Sequence, residues 1–190
     1  MTPPPRAPVP TESPDLLDLL ATFGDQSQAP LFSPVAAHDM PSPYRELLAH
    51  DGHMTVTVES FFGAPAVLGV HATQLDEHRY ARKITLHARP EGPALLSGIM
   101  RIHLNACTAP VRADVLAGEL PLGRILIAHN VMRTLRSGPY YRVRADAEPL
   151  LGLRLAVPPV AYARIAAMHT PSGRAVELLE IMTSIDRESD

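Results

Sequence analysis

Hydrophobic and polar residues alternate with period two through the middle of the chain, which is the pattern of β-strands with one buried face. Three consecutive segments carry this pattern, residues 66–73, 79–88 and 95–104. Turn-forming residues separate them, at Asp76-Glu77 and over residues 89–93. Because these connections are too short for a crossover helix, the pattern predicts an antiparallel meander with one face that helices can cover.

Helix signals lie on both sides of the meander. Proline-led starts and glycine or aspartate stops predict four short helices, over residues 14–20, 44–50, 111–117 and 121–127. Strand patterns return over residues 131–136, 140–144 and 161–168. Two segments, 54–62 and 175–183, fit helix and strand equally well. The elements together predict an α+β domain built on an antiparallel sheet.

Composition divides the chain into three parts. Residues 1–13 are rich in Pro, Thr and Ser, so we expect a disordered tail that can be removed without loss of stability. Residues 14–41 combine a short helix with Gly, Gln, Ser and Pro, which predicts a helix-and-loop arm. The α+β domain itself is expected over residues 42–185.

The overall composition excludes several functional classes. With 190 residues, 46% of them hydrophobic, the chain can form one domain with a continuous core. A formal net charge of −3 gives no footprint for nucleic acid, and no apolar run is long enough to span a bilayer. Cys107 is alone, so no intrachain disulfide is expected, and without a secretion signal the default location is cytoplasmic. A monomer and a homodimer both stay open.

Nine histidines raise the question of a metal site. His50 and His53 form the closest pair, but no third ligand follows at a metal-like spacing. We therefore expect solvent-exposed histidines and no bound metal.

Arg82 breaks the alternation of its strand, because it falls on the apolar face with Tyr80, Ile84 and Leu86. A buried guanidinium needs a compensating anion, since arginine cannot escape the cost of burial by losing its proton. The anion could be an internal Asp or Glu, or it could be the carboxylate of a small ligand bound by the planar fork of the guanidinium. The pattern leaves both readings open.

Two further residues are candidates for a site. If residues 175–183 form a strand, Glu180 shares a face with Leu178 and Met182, which is a second charge on an apolar face. If they form a surface helix, the glutamate lies in water. Gly123 is placed in the first turn of a predicted helix, where a missing side chain would let a ligand approach free backbone N–H groups.

Taken in order, five short motifs resemble the chorismate lyase (chorismate–pyruvate lyase) family. The resemblance covers residues from about 42 to 183, and the succession of the motifs makes it more specific than any one of them. The motifs are Asp51-Gly52-His53-Met54-Thr55, Arg82-Lys83-Ile84, Pro121-Leu122-Gly123-Arg124-Ile125-Leu126, Tyr162-Ala163-Arg164 and a late Glu180.

The resemblance implies a single antiparallel sheet with helices packed on one side and an enclosed site for a small ligand. It implies that Arg82 binds a ring carboxylate, that the backbone amides of Met54 and Leu122 add hydrogen bonds, and that Glu180 meets a ring hydroxyl. Arg82 and Glu180 should then face one cavity from its two ends, roughly the length of a benzoate ring apart. The implied activity is elimination of pyruvate from chorismate to give 4-hydroxybenzoate, with no cofactor.

Two alternatives to this activity remain. The same fold occurs in ligand-sensing domains of bacterial transcription regulators, so the chain could bind a small aromatic acid without changing it. It could also be a biosynthetic enzyme acting on a different substrate, since Ala163 stands where the family commonly has glycine.

Overall fold

The computed structural model of the chain describes residues 13–144, 149–155 and 157–185. Apart from Ser13, the tail expected over residues 1–13 lies outside the described residues.

One antiparallel sheet of seven strands forms the centre of the fold, in the order β1-β5-β6-β7-β4-β3-β2. The predicted meander is confirmed as β2–β3–β4, and residues 175–183 belong almost entirely to a strand at the centre of the sheet. The strands are β1 (Phe32–Val35), β2 (Val67–Leu75), β3 (Arg79–His87), β4 (Ala94–His103), β5 (Thr134–Arg144), β6 (Val160–Thr170) and β7 (Gly173–Met182).

Five α-helices accompany the sheet within the described part of the chain. The ambiguous segment 54–62 is a helix, which Gly63 ends in the left-handed conformation at φ 71° that glycine adopts without steric cost. The two strands expected over 131–136 and 140–144 are one strand, β5, with an irregular register after Ser137. The helices are α1 (Leu16–Ala21), α2 (Tyr44–Leu48), α3 (Met54–Phe62), α4 (Ala109–Ala117) and α5 (Leu122–Ala128).

Helices α2 to α5 pack on one face of the sheet, as the fold class predicts. Leu47 of α2 and Val58 of α3 pack against Ile84, and α4 and α5 pack against a neighbouring part of the same face that includes Met100 and Leu178. The N-terminal arm adds α1 on the opposite face. Its Leu19 and Leu20 are fully buried against strand residues whose side chains point away from helices α2 to α5. These strand residues are Ile99, Ala161, Ala163, Ile165, Leu179 and Ile181.

A buried ion pair links the arm to this opposite face. Lys83, on β3, is the only lysine of the chain, and its Nζ lies 2.7 Å from Oδ2 of Asp25. The ammonium also donates a 2.6 Å hydrogen bond to the carbonyl of Leu151 and lies 5.4 Å from the ring centre of Phe23. The arm and residues 149–155 therefore meet over one buried cation.

Replacing Asp25 tests whether this pair anchors the arm. Asp25→Ala leaves the buried ammonium of Lys83 without its anion, so we expect a loss of about 3–5 kcal/mol in the free energy of unfolding, measured with urea. The control is Asp39→Ala, because Asp39 is exposed and its loss should change stability by less than about 0.5 kcal/mol. Equal effects of the two substitutions would show that the arm is not held by this pair.

Candidate ligand-binding site

A small cavity lies between the helix-covered face of the sheet and the first turns of α3 and α5. Its volume is about 40 Å³, room for roughly three water molecules at the ~10–15 Å³ that each requires. Its wall is mostly apolar, with one basic and one acidic side chain from the sheet. The wall residues are His53, Met54, Thr55, Ile84, Leu86, Leu96, Met100, Pro121, Leu122, Gly123, Leu126, Leu135, Arg164, Met168, Leu178 and Glu180.

The starts of α3 and α5 bring backbone amides to this wall. Met54 and Leu122 are the first residues of the two helices, and neither helix has a side-chain cap. First-turn N–H groups have no partner inside their own helix, so they can donate to a ligand. The helices approach so closely that a Cβ at Gly123 would lie 2.8 Å from Oγ1 of Thr55. Gly123 is therefore required by helix packing as well as being a wall residue.

Arg82 is fully buried on β3, with its side chain on the helix-covered face. Its only hydrogen bond within the described residues is a long one, 3.5 Å, from Nη2 to the carbonyl of Leu120. Nε and Nη1 have no partner, and no described carboxylate lies within salt-bridge distance. Burial lowers the pKa of the guanidinium, with a small opposing contribution from Tyr80. The structure thus supplies no internal anion for Arg82 from the residues it describes.

The guanidinium of Arg82 lies beside the cavity and is not part of its wall. Its register partner on β4, Met100, is a wall residue. Leu120, its carbonyl acceptor, directly precedes the wall residues Pro121 and Leu122. Arg82 is therefore a neighbour of the wall residues and does not itself line the cavity.

Glu180 lies in the wall and pairs with a residue that sequence reasoning missed. Oε2 of Glu180 accepts a 2.6 Å hydrogen bond from Nε of Arg164, its register partner on β6. Nη1 of Arg164 donates to the carbonyls of Leu48 and His50 at 3.2 and 2.8 Å, and Nη2 has no partner among the described residues. A signal was present in the sequence, because Arg164 alternates with Tyr162, Ala166 and Met168 just as Arg82 alternates with Tyr80 and Ile84.

Arg82 and Glu180 lie on the same face of the sheet and do not pair with each other. Glu180 faces Gly98 on β4, and Gly98 faces Ile84, two residues beyond Arg82. From regular strand spacing their Cα atoms are roughly 12 Å apart. Two side chains of this length could hold a small ring between them.

His53 is half-buried and lines the cavity, whereas the sequence predicted a solvent-exposed residue. Its Nε2 accepts a 2.7 Å hydrogen bond from Nε of Arg133. Burial, followed by the positive charge of Arg133, lowers the pKa of the imidazole, while Glu180 opposes the shift. The burial could not be predicted from the sequence, because it depends on the packing of α3 against α5.

Comparison with known proteins places the fold. No family model and no curated protein matches the sequence. Among solved structures, PhnF from Mycobacterium smegmatis superposes with a TM-score of 0.52 at 11% identity, over 73% of this chain and 66% of that chain. The SA0254 gene product of Staphylococcus aureus gives a TM-score of 0.43 at 9% identity, over 66% of this chain and 89% of that one. The possible transcriptional regulator YydK of Bacillus subtilis gives 0.43 at 8% identity, over 66% of this chain and 61% of that one.

The likeness to PhnF bears on the class of fold. The chain spans about two thirds of the length of the PhnF chain. Together with the sheet order and the placement of the helices, the likeness to PhnF assigns the chain a chorismate lyase-like α+β fold, as the motifs implied. At this identity the likeness carries the fold and no activity. No helix in the described ranges is long and apolar enough to cross a membrane.

The two buried arginines give a matched test of the site. Arg82→Met removes a cation that has no anion, so we expect the free energy of unfolding to rise by about 1–4 kcal/mol. Arg164→Met leaves the carboxylate of Glu180 buried without its partner, so we expect a fall of about 3–5 kcal/mol. Thermal and urea unfolding of the two variants measures both. If Arg82→Met destabilises the protein as much as Arg164→Met does, then Arg82 has a structural anion.

Proposed function

We propose that the chain binds a small cyclic carboxylic acid in the cavity, with Arg82 as the carboxylate anchor. The observation that carries the proposal is the guanidinium itself, which is fully buried with two nitrogens unpartnered and no described carboxylate in reach. Such a group is costly when no anion pairs with it, and a bidentate carboxylate is the partner that its planar fork fits best. Functional sites often keep a residue that lowers the stability of the fold because function requires it.

The remaining contacts of the proposed complex follow from the wall. We expect the first-turn amides of Met54 and Leu122 to donate to ligand oxygens, because both residues line the cavity and Gly123 has no side chain to cover the backbone. Glu180 accepts a hydrogen bond only from Arg164 among the described residues, so its second oxygen is available to a ring hydroxyl. A six-membered ring needs more than 40 Å³. Met100 and Met168 are the wall residues best suited to make room, since methionine changes rotamer at little cost.

In its most specific form, the proposal is that the ligand is chorismate and that the chain eliminates pyruvate from it. The ring carbon that bears the hydroxyl gives up a proton, its C–H electrons complete the aromatic ring, and the ether C–O bond breaks. The enolpyruvate released takes up a proton and becomes pyruvate, leaving 4-hydroxybenzoate. Aromatisation supplies the driving force, so the protein need only exclude water, orient the substrate and let Glu180 assist the proton movement. The reaction as written needs no cofactor.

A second candidate function is binding without turnover. It is favoured by the short ion pair between Glu180 and Arg164, which engages the carboxylate that proton transfer would need. Under this reading the site senses a small aromatic acid, and Arg82 keeps the same role. A third candidate is an enzyme of the same fold that acts on another cyclic carboxylate. It would use the same contacts with the ligand.

Arg82→Lys tests the carboxylate anchor. Lysine keeps the positive charge but loses the bidentate fork, so we expect 4-hydroxybenzoate to bind at least about tenfold more weakly. The measurement is isothermal titration calorimetry, with exposed Arg136→Lys as the control. Unchanged affinity in the Arg82 variant would make Arg82 a structural residue and remove the basis of the proposal.

Incubation of the parent protein with chorismate separates the two candidate functions, and Glu180→Gln tests the role of the carboxylate. If the chain is a lyase, incubation with chorismate should release 4-hydroxybenzoate and pyruvate, both measured by chromatography. The amide keeps the size of the side chain but cannot take up a proton, so we expect turnover to fall at least about a hundredfold while product binding falls far less. A parent protein that binds 4-hydroxybenzoate and leaves chorismate intact would favour the binding function, and an unchanged rate in the variant would exclude Glu180 from the mechanism.

A further inference from the structure

Two histidines converge on one buried hydroxyl near the β2 edge of the sheet. Nε2 of His71, on β2, lies 2.9 Å from Oγ1 of Thr85, on β3, and Nε2 of His87 lies 2.7 Å from the same oxygen. Thr85 is fully buried, whereas His71 is exposed and His87 is half-buried. Because side chains alternate along β3, Thr85 and His87 lie on the face opposite to Arg82. The cluster is therefore separate from the proposed carboxylate site.

An irregularity of β2 directs His71 to this hydroxyl. Val70 pairs with Ile84 and Ala72 pairs with Lys83, so His71 is the extra residue of a β-bulge. Bulges redirect side chains and are common beside functional sites. The spacing of the histidines in the sequence did not indicate the pair, because the bulge and the pairing of β2 with β3 bring the two rings together.

Gly69 leaves an open space among the three polar atoms. A Cβ at this position would lie 2.6 Å from Oγ1 of Thr85, 3.4 Å from Nε2 of His71 and 3.5 Å from Nε2 of His87. Two imidazole nitrogens and one hydroxyl oxygen thus surround a single point, which a side chain at residue 69 would fill. Glycine weakens the interior of a strand and often marks the close approach of a ligand.

The ring of His87 is oriented as a metal ligand requires. Its Nδ1 lies 2.9 Å from the carbonyl oxygen of Gly92, and because that oxygen only accepts, Nδ1 carries the hydrogen. A neutral His87 therefore has a lone pair on Nε2. Histidines that bind metals usually donate their other N–H to a carbonyl or carboxylate in this way, which fixes the ring.

A second hydroxyl lies next to the cluster, on β4. Ser97 is the register partner of Thr85 and is fully buried, and its Oγ has no hydrogen-bond partner among the described residues. Hydroxyls on paired residues of adjacent strands can hydrogen-bond to each other. If both imidazoles turn their lone pairs to an ion, the hydroxyl of Thr85 can donate its hydrogen to Ser97 and keep a lone pair for the ion.

We propose that His71, His87 and Thr85 form a binding site for a divalent transition-metal ion such as Zn²⁺. Neutral imidazole suits Zn²⁺, Cu²⁺ and Ni²⁺, and the hydroxyl and water complete the ligands. No group of three or more His, Cys, Asp or Glu side chains in the described part of the chain could hold a metal, so this is a two-histidine site. Lys83 lies on the same face of β3, but Asp25 balances its charge at 2.7 Å.

Titration of the full chain with zinc chloride, without an affinity tag, tests the site. We expect calorimetry to show one zinc ion bound per chain. His71→Ala and His87→Ala should each weaken zinc binding at least about tenfold, because each removes one of the two imidazole ligands. Gly69→Ala keeps both imidazoles and fills the space between them, so it should abolish zinc binding.

The control is His38→Ala, because His38 is exposed and follows β1 at the opposite edge of the sheet. This variant should bind zinc as the parent does. Zinc should raise the unfolding temperature of the parent and of His38→Ala but not of His71→Ala. Unfolding temperatures without zinc check that each variant is folded.

Two results would overturn the site. One is a parent protein that does not bind zinc, and the other is zinc binding that His71→Ala and His87→Ala leave unchanged, which would assign it to other surface histidines. The outcome is independent of the proposed function, because Arg82 lies on the other face of the sheet. His71→Ala should therefore bind 4-hydroxybenzoate as the parent does, and a parent that binds zinc but no 4-hydroxybenzoate would contradict the carboxylate site alone.

Discussion

The cost of burying a positive charge is the constraint on which the rest of this structure depends. The central sheet buries three long basic side chains, Arg82, Lys83 and Arg164. A guanidinium cannot lose its proton in a protein interior, and a buried ammonium is also costly as a charge. Each of the three side chains therefore needs an anion, or its burial lowers the stability of the fold. Lys83 has Asp25 and Arg164 has Glu180, but Arg82 has one long hydrogen bond to a carbonyl among the described residues. This difference is the basis for proposing Arg82 as the carboxylate anchor.

The neighbouring residues Arg82 and Lys83 show how the strand period decides these outcomes. Successive side chains of a strand point to opposite faces, so Arg82 contacts the carbonyl of Leu120, just before α5, and Lys83 contacts the N-terminal arm. The arm carries Asp25, and the described residues around Arg82 bring no carboxylate. Both faces of the sheet are covered, which is why β3, β4, β6 and β7 are buried almost continuously although they are antiparallel.

Period-two alternation was enough to predict the meander and to select Arg82 and, conditionally, Glu180, because both are charges at apolar positions. It could not predict the Arg164–Glu180 pair, since that contact depends on the register between β6 and β7, which a turn sets locally. Strand β1 was missed because it is four residues long and contains Pro34. Segment 54–62 stayed open because Val and Thr favour strands by propensity, while tertiary packing and the Gly63 stop make it a helix.

Under the proposed function, the same constraint determines which ligands the site distinguishes. A ligand that brings an anion to Arg82 recovers the free energy that the buried charge costs, so the ion pair adds to affinity in a way that an uncharged analogue cannot match. A primary amide of the same acid would offer one carbonyl oxygen and would place a second donor against the guanidinium, leaving the charge uncompensated. Under the proposed function, selectivity for a carboxylate comes from Arg82 and does not depend on the ring, and the apolar wall around Met100, Leu122 and Met168 selects for shape. In the proposed complex the wall moves to admit a ring, so the free-energy cost of that movement reduces affinity, and the ion pair with Arg82 offsets the cost.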